Sequence, residues 1–137
     1  MDKLLISPTP VTPKIHFSPE ENIFIISGTS SPEDVRAMYY PVLEWIKQFI
    51  EEILEGRYTA WSAENPLVLK VDLYYFNSSS AKFYYDIFLE LKRLSLSGIP
   101  VNIEWYFDEE DTDMQEAGAD ISLLVDMEFT YMPKERL

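Results

Sequence analysis

The sequence has no cysteine, one histidine, four glycines, and 11 lysines and arginines against 24 aspartates and glutamates. The missing cysteines exclude disulfides, thiolate zinc sites and cysteine nucleophiles. A small domain that folds without such staples suits a reducing cytoplasm, the location expected here. The formal net charge of −13 opposes binding to a nucleic-acid backbone, which needs clustered Lys and Arg, and opposes anionic membrane surfaces equally. No apolar run approaches the ~20 residues that span a bilayer, and the N-terminus lacks the basic-then-apolar layout of a secretory signal. No glycine-rich phosphate loop occurs, so nothing supports a nucleotide enzyme.

What is present is enough apolar material for one core: 47% of 137 residues are apolar and 15% aromatic, which fits a single compact domain. Pro8, Pro10 and Pro13 among Ser and Thr resist regular structure, so residues 1–13 read as an extended lead-in and residues 14–137 as the domain. Lys14 to Phe17 and Ile23 to Ser27 read as two strands joined by a turn over Ser18 to Asn22. Ser31-Pro32-Glu33-Asp34 offers an N-cap, a first-position proline and first-turn acids. A helix is therefore expected from Ser31, with Val35, Met38, Tyr39, Val42, Ile46, Phe49, Ile50 and Ile53 on its inner face and Pro41 kinking it or marking its true start.

Leu67 to Phe76 alternates two sets of side chains, both largely apolar, and so predicts a central strand covered on both faces. Phe83, Tyr84, Ile87, Phe88, Leu91 and Leu94 form a helical stripe that ends at Gly98, a C-cap glycine. Val101 to Phe107 alternates as another strand. The acidic run Asp108 to Asp113 leads into a third helix carrying Met114, Ala117, Ile121, Leu124 and Val125 inward, with Thr112 and Gln115 as its capping box. Met127, Phe129 and Tyr131 predict a last short strand. The order ββαβαβα plus a terminal strand, with about three helices, implies an α/β fold with parallel pairs in a mixed sheet.

The functional signal lies where the central strand breaks: Tyr74-Tyr75-Phe76-Asn77-Ser78-Ser79-Ser80-Ala81-Lys82. Three hydroxyls sit at the start of a helix, where backbone N–H groups favour a phosphate, and this points to a regulatory phosphoserine. The competing explanation is that Asn77 and one serine merely cap the helix. Serine hydrolysis is disfavoured, because no glycines flank the serines and His16, on the first strand of the domain, would have to be the base. The acidic run lacks the glycine-turned spacing of a calcium loop and reads as a solvated start to the third helix. Most of Trp45, Trp61, Trp105 and the nine tyrosines must belong to the core. Tyr39, Tyr40, Tyr84 and Tyr85 are too many for one face, so some should form an exposed docking patch.

Several separated segments resemble, in order, the SiaC family of bacterial regulatory phosphoproteins, a family related to STAS-domain anti-sigma factor antagonists. These are Thr12-Pro13, Gly28 to Asp34, Tyr40-Pro41 through Trp45, Tyr75 to Lys82 with Asp86, and Trp105 to Asp111 through Met114 and Gly118. The resemblance implies a single STAS-like domain without catalysis, cofactor or metal. It also implies a partner switch in which a kinase phosphorylates the hydroxyl residue after the asparagine and a PP2C-type phosphatase removes the phosphate. That position is Ser78, with Ser79 and Ser80 as secondary candidates. The sequence departs from the family's usual pattern by carrying Ser rather than Thr there. In the family's best-known member the unphosphorylated form activates a diguanylate cyclase, raising cyclic di-GMP and promoting biofilm formation. The implied roles are Asn77 shaping the turn, Ser79 or Ser80 capping the helix, and Lys82 steering the phosphate. Tyr75, Ser78, Lys82, Tyr85 and Asp86 are the expected partner-binding residues. The alternative is a constitutive adaptor of the same fold with a purely structural serine turn.

Overall fold

A computed structural model describes residues 1–135; Arg136 and Leu137, the last two positions of the expected domain, lie outside the described residues. The chain forms β1 (Leu4–Ile6), β2 (Lys14–Ser18), β3 (Ile23–Ser30), α1 (Val35–Leu54), β4 (Leu67–Phe76), α2 (Ser78–Leu96), β5 (Val101–Asp108), α3 (Thr112–Val125) and β6 (Phe129–Lys134). One six-stranded sheet runs in chain order β1 to β6. The pairs β1–β2 and β2–β3 are antiparallel and the remaining three are parallel. The fold is therefore the mixed α/β architecture that the alternation of strand and helix patterns predicts. Among the described residues no helix is long and apolar enough to cross a membrane.

Parallel crossovers are right-handed, so an in-order sheet keeps every connecting helix on one face. The contacts agree. Phe24 of β3 packs on Phe49 of α1 at 5.4 Å, Phe129 of β6 packs on Phe88 of α2 at 5.4 Å, and Trp105 of β5 donates from Nε1 to the Met114 carbonyl of α3 at 3.0 Å. The register places Phe24, Ile26, Val71, Trp105, Ile103 and Phe129 on the same side of the sheet. This corrects the expectation that β4 is covered on both faces. Leu67, Leu69, Val71 and Leu73 are buried under the helices, whereas Lys70 and Tyr74 on the opposite face are exposed.

Three local readings shift. The lead-in supplies an edge strand, since Leu4 to Ile6 pair with Phe17 to Ile15, and three residues are too short to stand out as a strand among prolines. The first helix starts later than its sequence signals suggest, because Ser27 to Ser30 continue β3 alongside β4 and the Ser31 amide donates to the Val11 carbonyl at 2.8 Å. Asp34 is the N-cap, accepting from the Ala37 amide at 3.1 Å, and Pro41 lies inside a continuous helix. The third helix is capped by Asp111, not Thr112, through the Met114 amide at 3.0 Å. Gly98 does end α2 as expected. With φ of +91° it permits the bonds from the Gly98 amide to the Ser95 carbonyl and from the Ile99 amide to the Leu94 carbonyl that close a Schellman turn.

Candidate functional site

The site grows from the end of β4. Gly28 pairs with Leu73 and Thr29 with Tyr75, so Tyr74 is an extra residue in a bulge. The bulge reverses the alternation: Phe76 turns inward against Tyr84 and Trp105, while Tyr74 and Tyr75 remain 83% and 51% exposed. A single residue, Asn77, then connects the strand to α2. Its amide donates to the Ser30 carbonyl at 2.9 Å and its Oδ1 accepts from the Ser80 amide at 2.9 Å, making Asn77 itself the N-cap. Such a cap stabilises a helix by about 1 kcal/mol.

The three serines have different surroundings. Ser80 is fully buried. Its hydroxyl donates to the Ser30 carbonyl at 3.2 Å and shares a hydrogen bond with Ser30 Oγ at 2.8 Å. From Ser30 the chain of hydroxyls continues to Tyr39 at 2.6 Å and on to Tyr84 at 2.5 Å. Burial pushes the phenols of both tyrosines up from their ordinary value, so they stay neutral and act as hydrogen-bonding groups only. This network ties the end of β3 and the second turn of α1 to the first turns of α2. Ser78 and Ser79 stay exposed in the first turn, where early helix amides lack intrahelical acceptors and the dipole is positive. The expected cap by Ser79 or Ser80 is therefore corrected: Asn77 caps, and Ser80 anchors.

Ser78, Lys82, Tyr85 and Leu89 recur at helical spacing along the outward side of α2, with Asp86 beside them. Lys82 Nζ lies 3.4 Å from Asp86 Oδ2 and 5.3 Å from the Phe83 ring centre. Across from this side stands α3. Ala81, Lys82 and Tyr85 line a groove of about 320 Å³ with Ile121 and Leu124. Leu123 and Leu124 are 80% and 69% exposed. Leu124 thus leaves the core stripe in which its spacing would place it, and Gly118 replaces Ala117 inside, since Met114, Gly118, Ile121 and Val125 are the buried set. The α3 wall is the part of the site that sequence reasoning missed. The available signal was Leu123-Leu124-Val125, three successive apolar residues of which a helix can bury only part.

The expected binding residues therefore divide. Ser78, Lys82, Tyr85 and Asp86 share one side of α2, whereas Tyr75 lines a separate cleft beyond Asn77. The four central tyrosines divide too, with Tyr39 and Tyr84 fully buried, Tyr40 53% exposed and Tyr85 half-buried. His16 lies on β2, with Nε2 3.8 Å from Glu21 Oε2. Asp108 and Asp111 serve the turn into α3, Asp108 Oδ1 accepting from the Glu110 amide at 2.9 Å and Asp111 capping the helix.

Comparison with known proteins gives a consistent answer. A Pseudomonas aeruginosa protein of uncharacterised function is 28% identical over 116 residues, covering 85% of this chain and 84% of that one. The crystal structure of apo-SiaC from Pseudomonas aeruginosa superposes with a TM-score of 0.78 at 25% identity, covering 96% of this chain and 99% of that one. SiaC bound to the diguanylate cyclase SiaD, which it activates, superposes with a TM-score of 0.80 at 24% identity over the same shares. The family model for SiaC family regulatory phosphoproteins matches residues 6–134, and the chain belongs to that family.

Proposed function

We propose that this protein is a non-enzymatic, cytoplasmic partner switch whose binding to a client is gated by reversible phosphorylation of Ser78. The observation that carries the reading is the position of that hydroxyl. It is exposed at the first residue of a 19-residue helix, on the side of α2 that carries Lys82 and Tyr85 into the apolar groove against α3. A kinase can reach Ser78 without unfolding anything, and a helix N-terminus tolerates the added charge of nearly −2. A client covering this side of α2 must then desolvate the phosphate. That costs several kcal/mol unless new partners are supplied, and about 1.4 kcal/mol already weakens binding tenfold. Because SiaC is the activator of a diguanylate cyclase, a cyclase of that class is the client to test first. A cognate kinase and a PP2C-type phosphatase would set the phosphorylation state, linking the switch to cyclic di-GMP and biofilm formation.

The constitutive adaptor keeps one observation in its favour: Asn77 and Ser80 are already explained by capping and anchoring. Phosphosite mass spectrometry of the protein from its host, with recovery of partners by Ser78→Ala and Ser78→Asp, separates the two. The switch requires phosphate on Ser78 and a partner retained by the Ala variant but lost by the Asp variant. Unmodified serines, with the same partner on both variants, would overturn it in favour of the adaptor.

A further inference from the structure

Ser78 and Ser79 are both exposed, but helical spacing turns them toward different neighbours. Ser78 shares its side of α2 with Tyr85, toward α3, whereas Ser79 stands one turn before Phe83, on the side that meets α1. The two helices run in the same direction, since each follows a strand of the parallel pair β3–β4. Their contacts keep one register. Phe83 stacks on Tyr39 at 5.5 Å and meets Tyr40 edge-on at 5.7 Å, and about three turns further along Arg93 of α2 pairs with Glu51 of α1. One turn before Tyr40 comes Arg36, so the register that joins Tyr40 to Phe83 sets Arg36 level with Ser79 across the crevice. Arg36 is exposed, and its guanidinium makes no hydrogen bond or ion pair among the described residues. The other two described arginines, Arg57 and Arg93, each hold two glutamates. Of the acids near the crevice, Asp34 caps α1 and Asp86 holds Lys82.

We propose that Ser79 is a second phosphorylation site, whose phosphate is held within the chain by Arg36. Transfer of the terminal phosphoryl group of ATP by a serine kinase breaks the bond to the β-phosphate, forms the bond to Ser79 Oγ, and releases ADP and the hydroxyl proton. An unmodified hydroxyl offers the five guanidinium donors little. A phosphate offers three acceptor oxygens and a charge of nearly −2, the geometry that arginine meets in a planar fork. The pair would pin the first turns of α2 to α1, and it would draw the charge away from the side of α2 that carries Ser78. Two neighbouring serines thus acquire different outcomes: a phosphate on Ser78 faces an incoming client, and one on Ser79 is taken up by the fold. The inference shares with the Ser78 reading only the presence of a serine kinase.

The test places phosphoserine at position 79, or separately at 78, in the full chain by genetic encoding, each with and without Arg36→Gln. In the chain modified at 79, Arg36→Gln should lower the melting temperature by about 5 °C, and it should raise the midpoint of the phosphate titration, read by ³¹P NMR, by about half a pH unit. The same substitution should move the unmodified chain and the chain modified at 78 by less than about 2 °C. Equal changes in all three chains, or none in any, would overturn the pairing and leave Arg36 for an acidic partner. An effect removed by Lys82→Gln instead would overturn it as well. The Ser78→Ala chain isolated from its host should still carry phosphate on Ser79; phosphate found on Ser78 in the parent and never on Ser79 in either chain would reject the second site while leaving the Ser78 switch intact.

Discussion

Replacing Gly118 by alanine tests how α3, and with it one wall of the groove, is seated on the sheet. A methyl group there would lie 2.5 Å from Nε1, 2.6 Å from Cδ1 and 2.7 Å from Cε2 of Trp105, about 1 Å inside ordinary contact distance. The ring has little room to retreat. It is 1% exposed, its Nε1 donates to the Met114 carbonyl at 3.0 Å, Phe129 stacks on it at 5.9 Å and Phe76 meets it edge-on at 6.0 Å. Overpacking of this kind costs about 1–3 kcal/mol, and losing the indole hydrogen bond adds about 1 kcal/mol. The better helix propensity of alanine offsets about 1 kcal/mol, so the net destabilisation should be about 1–3 kcal/mol. Equilibrium urea unfolding, followed by far-UV circular dichroism, should show a lower midpoint with an unchanged slope. The double variant Gly118→Ala with Trp105→Phe should lose less than the sum of the single changes, since the smaller ring vacates the clash. A Gly118→Ala protein as stable as the parent, or additive behaviour in the pair, would refute this account of the seat.

Two other perturbations follow from the same geometry. Burial raises the phenol pKa of Tyr39 and Tyr84 in the folded chain, so the stability this contributes is fully present below the unfolded tyrosine value of about 10 and is lost as pH rises beyond it. Thermal melts should hold steady near neutrality and fall above about pH 10. The Tyr84→Phe variant, less stable by about 1 kcal/mol at neutral pH, should show a shallower alkaline decline; an equally steep one would assign the decline to other groups. Leu124→Gln changes an exposed side chain, so stability should move by less than about 0.5 kcal/mol. Client binding should weaken about tenfold if the groove is the docking face; calorimetry with the recovered client giving an unchanged affinity would remove α3 from the interface.

The sheet and helices were legible because their patterns are long: ten alternating residues in β4, and stripes in α1 and α2 that survive an error of a turn. What misled the reading was local and depended on tertiary pairing. Ser31-Pro32 carries every mark of a helix start, yet Ser27 to Ser30 find partners in β4 and the helix begins only after its cap at Asp34. The two apolar sets of β4 suggested cover on both sides. The alternation cannot report that every crossover falls on the same face, nor that a bulge exchanges the directions of Tyr75 and Phe76. At the serine run the sequence offered three equivalent hydroxyls. Their differences arise from Ser30, 50 positions earlier in the chain, and from Tyr39 beyond it, whose pairing with this turn no spacing rule encodes.

That hidden difference bears on how a switch at this turn would work. A phosphate on Ser80 would have to enter a fully buried hydroxyl network, breaking the tie between β3, α1 and α2, so modification there would act by unfolding. Ser78 lies two residues earlier, outside the network and beside a cap that Asn77 supplies from its own side chain. Its modification would leave the first turn held by Asn77 below and by Ser80 within. The rigid anchoring of α2 thus separates two consequences that three adjacent serines would otherwise mix, loss of fold and loss of binding. On the proposed reading, only the second is available to a kinase acting on the native protein.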